Sequence, residues 1–77
     1  MKVTVAAFGA MREYTSGGQG RAELDLPAGS LVGDVVDALG APRRLVFAAL
    51  IDGLQADLGQ EVHEGAEVTL MPPFAGG

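Results

Sequence analysis

Ser30-Leu31-Val32-Gly33-Asp34-Val35-Val36-Asp37-Ala38-Leu39-Gly40 is the stretch that decides the architecture. Val32, Val35, Val36 and Leu39 recur at i, i+3, i+4 and i+7, the spacing of one helix face, and Leu31 flanks that stripe. Ser30 is a candidate N-cap, and Gly40, with Pro42 behind it, is a natural stop. The spacing predicts a helix over residues 31–39. Gly33 weakens it by about 1 kcal/mol relative to alanine, so burial of the apolar stripe has to hold it.

The segments on either side read as strands. Residues 2–8 open with β-branched side chains, and residues 21–26 alternate, with Ala22, Leu24 and Leu26 on one side and charges on the other. Between them, residues 10–14 form a short irregular or helical turn and residues 15–20 a loop, so the pair reads as a long-looped hairpin. Beyond the helix, residues 46–51 are wholly apolar and bounded by Arg43-Arg44 and Asp52-Gly53. At that length a buried strand fits better than a helix. Residues 54–57 make a short return strand or turn, and residues 60–65 a polar loop around one apolar anchor. Residues 67–71 alternate as the final strand, which Pro72-Pro73 ends because neither proline has an N–H to donate.

Strand, strand, helix, strand, strand is the order of an α+β domain whose one main helix packs on one face of a mixed sheet. A β-grasp arrangement, with first and last strands adjacent in the middle, is the natural candidate. The chain 1–77 reads as a single domain, with 72–77 as a projecting C-terminal tail. Extended, residues 73–77 span about 16–18 Å, enough to enter an active site in another protein.

Composition narrows the function. A chain of 77 residues buries only about 60% of the surface its unfolded form exposes. That leaves little room for both a core and a deep pocket, which favours a binding or carrier module over a self-contained enzyme. There are no cysteines, so disulfides and thiolate metal sites are excluded. Ten acidic residues against five basic ones give a net charge of -5, which repels nucleic acid and anionic membranes and suits docking to a basic protein surface. With no apolar run of transmembrane length and no signal-type N-terminus, a soluble cytoplasmic protein is expected.

Several local patterns carry no chemistry. Ser16-Gly17-Gly18-Gln19-Gly20 lacks the Lys-Ser/Thr of a phosphate-binding loop and reads as a hairpin loop. His63 is the sole histidine and has no cysteine to share a metal with. Glu61, Glu64 and Glu67 read as a solvated acidic edge, and Arg43-Arg44 is too short a basic patch for nucleic acid.

The last two residues, Gly76 and Gly77, have no Cβ. A carboxylate there is the least hindered acyl group a chain can present and can slip through a narrow channel. Taken alone, the pair fits a frayed terminus equally well. Upstream motifs add to it. Phe8-Gly9-Ala10-Met11-Arg12-Glu13 resembles a Phe-Ala-x-x-Arg-Glu motif after a first strand, and residues 32–39 resemble the helix that follows. Glu64-Gly65-Ala66-Glu67-Val68 resembles Asp-Gly-Asp-Glu-Val before a last strand, and Met71-Pro72-Pro73-Phe74-Ala75-Gly76-Gly77 resembles a Pro-Pro-x-x-Gly-Gly terminus. In these features the chain resembles the ubiquitin-like sulfur carriers of the MoaD/ThiS superfamily, most closely the molybdopterin synthase small subunits. It departs from them at Ile51-Asp52-Gly53, where many relatives have Val-Asn-Gly, and at Ala66, which replaces an acidic residue.

The resemblance implies that Gly77 is the acyl acceptor, with Gly76 keeping the path to it thin. An ATP-dependent enzyme would adenylate the Gly77 carboxylate, and a persulfide would displace AMP to leave a thiocarboxylate for molybdopterin synthesis. The chain itself would bind no cofactor and supply no catalytic group, ATP belonging to the activating enzyme. Its partners would be that adenylating, sulfur-transferring enzyme and the synthase large subunit, in a hetero-oligomer of two large and two small subunits. Phe8, Leu54, Met71, Pro72, Pro73, Phe74 and Ala75 would form the partner contact, although Phe8 and Met71 fit the core as well. Arg12 and Glu13 fit a solvated pair. Two other readings stay open: a carrier for thiamine, cysteine or tRNA thiolation, and a ubiquitin-like modifier or interaction module.

Overall fold

Val3, Val5 and Ala7 alternate with exposed or half-buried neighbours, and this period of two builds the first strand, β1 (Lys2–Ala7). The computed structural model describes residues 1–73. In them follow β2 (Arg21–Asp25), α1 (Val32–Leu39), β3 (Ala48–Ile51), β4 (Leu54–Ala56) and β5 (Glu67–Met71). Short 3-10 turns at Gly9–Tyr14, Ser16–Gly18 and Arg43–Leu45 join them. The sheet order is β2-β1-β5-β3-β4. β1 and β5 run parallel, with Thr4 beside Glu67 and Ala7 beside Leu70, and every other pair is antiparallel. This is the β-grasp, with first and last strands adjacent as the sequence suggests.

The core lies between α1 and one face of the sheet. Val32, Val35 and Val36 meet Val3, Val5, Ala49, Val68 and Leu70, all buried. The odd positions of β1 and β3 and the even positions of β5 therefore point at the helix. Thr4, Ala6, Ala48, Leu50, Thr69 and Met71 occupy the other face and stay half-buried. Val62, the apolar anchor of the polar loop, is buried as well.

The helix starts one residue later than its spacing predicts. Leu31 is extended (φ -102°, ψ 166°) and stands at the N-cap. Ser30 does not cap the helix: its hydroxyl donates to the Pro27 carbonyl at 2.8 Å. The first free amides are satisfied from outside instead, Val32 N–H by the Gln60 carbonyl and Gly33 N–H by the Leu58 carbonyl, each at 2.9 Å. Asp34 reaches back to accept the Leu31 N–H at 2.8 Å, placing a negative charge at the helix's positive end. Gly40, at φ 79°, ends the helix as expected.

Gly33 has a packing reason. The Arg43 guanidinium lies over it, and a Cβ at that position would stand 2.8 Å from Cζ. Arg43 is held there by two bonds to Asp37, Nε to Oδ1 at 3.0 Å and Nη2 to Oδ2 at 2.8 Å. This bond to Arg43 holds the Asp37 carboxyl below its ordinary range. The Gly33→Ala substitution removes a helix penalty of about 1 kcal/mol but pushes Arg43 aside. Alanine at position 33 should thus stabilise an Arg43→Ala background by about 0.5–1 kcal/mol more than it stabilises the parent, in urea-denaturation double-mutant cycles.

At the β3–β4 turn, Asp52 and Gly53 both have positive φ, 51° and 84°, as a type I′ hairpin turn requires. The Asp52 carboxylate spans to the next strand, Oδ1 accepting the Glu67 N–H at 2.9 Å and Oδ2 facing His63 Nε2 at 2.6 Å. His63 Nδ1 lies 2.9 Å from the Glu64 carbonyl. A carbonyl can only accept, so both ring nitrogens are best used when both carry protons. The Glu64 carbonyl first, and then Asp52, raise the His63 pKa, while the Glu67 N–H and then His63 lower that of Asp52. The histidine contribution is complete below its unfolded value of 6.5 and fades as pH rises through the higher folded value. The aspartate contribution is present above 3.8 and fades as pH falls through its lower folded value. As pH rises above 6.5, the melting temperature should therefore fall more steeply in the parent than in His63→Asn.

Candidate functional site

Because β1 and β5 are parallel, both end at the same edge of the sheet, and antiparallel β3 begins there. Three segments far apart in sequence meet at this edge. The Phe8 N–H donates to the Leu70 carbonyl at 3.1 Å, and the Phe47 N–H to the Met71 carbonyl at 2.8 Å. Both bonds continue the ladders past the strands, so the two phenylalanines stand on either side of the end of β5. Neither is in the core: Phe8 is 51% exposed and Phe47 76%. Met71 is half-buried between them. An aromatic pair left in water at this edge is an apolar rim around the chain's exit.

Pro72 is buried and Pro73 exposed. The buried series Val68, Leu70, Pro72 shows that Pro72 keeps the β5 alternation and packs on the helix side of the sheet. Within the described residues the exposed end of the chain therefore begins at Pro73, not at Pro72. The remaining residues assigned from sequence, Phe74, Ala75, Gly76 and Gly77, lie outside the described residues.

Leu54 stands apart from this group. It is 74% exposed but pairs with Ile51, which in turn pairs with Val68 at the start of β5. Three strand residues, about 10 Å, separate that row from Met71. Phe47 takes its place at the rim. Sequence reasoning put Phe47 inside a buried apolar run, and the expected strand 46–51 starts only at Ala48, because Arg43–Leu45 forms a 3-10 turn and Phe47 sits in the bend after it.

The rim carries contact area rather than reactive groups. The carboxylate, imidazole and guanidinium groups with displaced pKa values are Asp37 and Arg43 at the helix and Asp52 and His63 at the opposite edge. Among the described residues no group of three or more His, Cys, Asp or Glu could hold a metal ion. No helix among them is long and apolar enough to cross a membrane. The geometry offers a partner an apolar surface at the end of β5.

Comparison with known proteins bears on the whole fold. The chain is similar to SAMP1 from Haloferax volcanii, with 27% identity over 100% of both chains and a TM-score of 0.77. A second structure, of H. volcanii small archaeal modifier protein 1, shares 26% identity over 95% of this chain and 98% of that one, again at a TM-score of 0.77. A candidate molybdopterin converting factor subunit 1 from Pyrococcus furiosus shares the fold at a TM-score of 0.72, with 20% identity over 96% of this chain and 99% of that one. No curated protein matches the chain significantly. The ThiS family model matches residues 5–77, from the middle of β1 to the last residue, and the chain belongs to the ThiS family of ubiquitin-like sulfur carriers.

Proposed function

We propose that this chain is a sulfur carrier for molybdopterin synthesis, working in the cytoplasm with its acyl end at Gly77. The Gly77 carboxylate attacks the α-phosphate of ATP on an activating enzyme, releasing pyrophosphate. A persulfide sulfur then attacks the acyl carbon and displaces AMP, and a thiol cleaves the remaining S–S bond to leave the thiocarboxylate. The chain is the co-substrate in each step, and the partners hold the catalytic groups. The observation that carries this reading is the edge where Phe8, Phe47 and Met71 surround the exit of β5.

The division of labour follows from chemistry. An acyl-adenylate hydrolyses in water, so the activating enzyme must enclose it. Gly76 and Gly77 allow a narrow enclosure, and Pro73 limits the entropy lost on threading. The rim supplies the apolar area that holds the complex together while the tail reacts. The same rim would later seat the large synthase subunit in a hetero-oligomer. The Pro72-Pro73 step before the tail favours this pathway over thiamine, cysteine or tRNA thiolation. A second reading, protein modification through an isopeptide bond, is favoured by the full-length similarity at 27% identity to SAMP1. It shares the adenylation step and differs in the acceptor.

Incubation with an activating enzyme, ATP and a persulfide donor should exchange one terminal oxygen for sulfur, read by intact mass. Deletion of Gly76 and Gly77 should abolish the exchange. A conjugate of higher mass would select the modifier reading, and an unchanged chain beside a reactive control carrier would refute both. Phe47→Asp should move the unfolding free energy by less than about 1 kcal/mol, as for a surface position, yet slow the exchange severalfold. Leu70→Ala, in the core, should cost about 2–5 kcal/mol.

A further inference from the structure

The chain has five cationic side chains against ten acidic ones, and two of the five line one groove. Arg12 and Arg21 border it with Phe8, Gln19 and Gly20, enclosing about 240 Å³ at the end of β1. Local structure fixes this arrangement. Buried Thr15 accepts the Gly20 N–H at 2.8 Å and donates its hydroxyl to the Arg12 carbonyl at 2.6 Å, stapling the loop that carries Arg12. Gly20, at φ +89°, leaves space for the Arg12 stem, whose Cγ and Nε would stand 3.4 Å from a Cβ placed there. The Ala7 carbonyl would be only 2.9 Å from that Cβ, so no other residue fits.

Neither guanidinium is firmly paired. Arg12 makes no ion pair among the described residues, and Arg21 meets Glu67 only at 3.6 Å, both side chains being more than half exposed. Glu13 and Glu23, the nearest acids along the chain, are exposed and in no ion pair there. Phe8 is at once the wall of this groove and one side of the tail's rim. A protein that covers the rim must therefore also cover the groove and strip water from two cations. That is unfavourable unless it brings a carboxylate to them.

Resting on the carrier reading above, we infer that Arg12 and Arg21 receive a carboxylate from the activating enzyme, on a loop that packs its apolar part on Phe8. The activating enzyme is the partner every use of the tail requires first. Guanidinium forks suit such a contact because they bind carboxylate with directional paired bonds. The contact orients the carrier on its partner. Elsewhere an acidic carrier repels an acidic surface, so this groove also selects the docking face.

The test pairs calorimetric binding with ATP–pyrophosphate exchange, using the full chain and the activating enzyme of the source organism. Arg12→Glu/Arg21→Glu should raise both Kd and the KM for the carrier by about tenfold or more, with kcat unchanged. Neutral Arg12→Gln/Arg21→Gln should flatten the salt dependence of Kd, which tests the charge without a reversal. Lys2→Glu, at the far end of β1, makes the same charge change per site and should shift Kd less than about twofold. Exchange with wild-type chain, but equal Kd for wild type and the double reversal, overturns the groove and leaves the carrier reading standing. Absence of both binding and exchange with wild-type chain overturns the two together.

Discussion

Four parallel pairs, from Thr4 beside Glu67 to Ala7 beside Leu70, join the first strand to the last in the middle of the sheet, and the position of everything functional follows from them. A parallel pair finishes at one edge, so the residue after β1 and the residues after β5 must be neighbours. Antiparallel pairing of β3 with β5 brings a third segment to that edge. Phe8, Phe47 and Met71 thus meet although they are distant in sequence. Shifting any of these strands by one residue would exchange its faces, sending the apolar side of β5 to water and taking the rim apart.

The two ends of the sheet are built for different tasks. At the edge where β5 begins, the turn at Asp52 is locked by its own carboxylate, which bonds the Glu67 amide and faces His63. Polar bonds there secure the approach to the last strand. Where β5 ends, the rim left in water is the apolar pair Phe8 and Phe47, with Arg12 and Arg21 beside it. The valine-rich layer under α1 holds the two ends in fixed relation, and in a small domain without disulfides that layer carries the fold.

Much of this was legible because it is periodic. The stripe Val32, Val35, Val36 and Leu39 announced the helix, and alternation announced β2 and β5. What failed was set by partners distant in the chain. Ser30 obeyed a local capping rule, but the carbonyls of Leu58 and Gln60 arrive at the helix start and do the capping. Phe47 lies in an uninterrupted apolar run, where alternation gives no hint of which side chains face out, and its exposure follows from its place in the bend between the 3-10 turn and β3. Leu54 is exposed, as a docking residue has to be, but its pairing with Ile51 sets it beside the start of β5 and away from the rim. The Gly33–Arg43 contact had a visible trace, a glycine inside a helix, but its meaning required knowing that Arg43 folds back.

The account rests on a chain end whose acyl group other proteins activate and load. The most direct measurement is the intact mass and C-terminal fragmentation of the chain recovered from its own cells, under conditions that preserve thiocarboxylates. The account predicts a population in which the change lies at Gly77, either sulfur in place of oxygen or a covalent acceptor. A free Gly77 carboxylate in every molecule, together with unaltered growth after removal of Gly76 and Gly77, would contradict it.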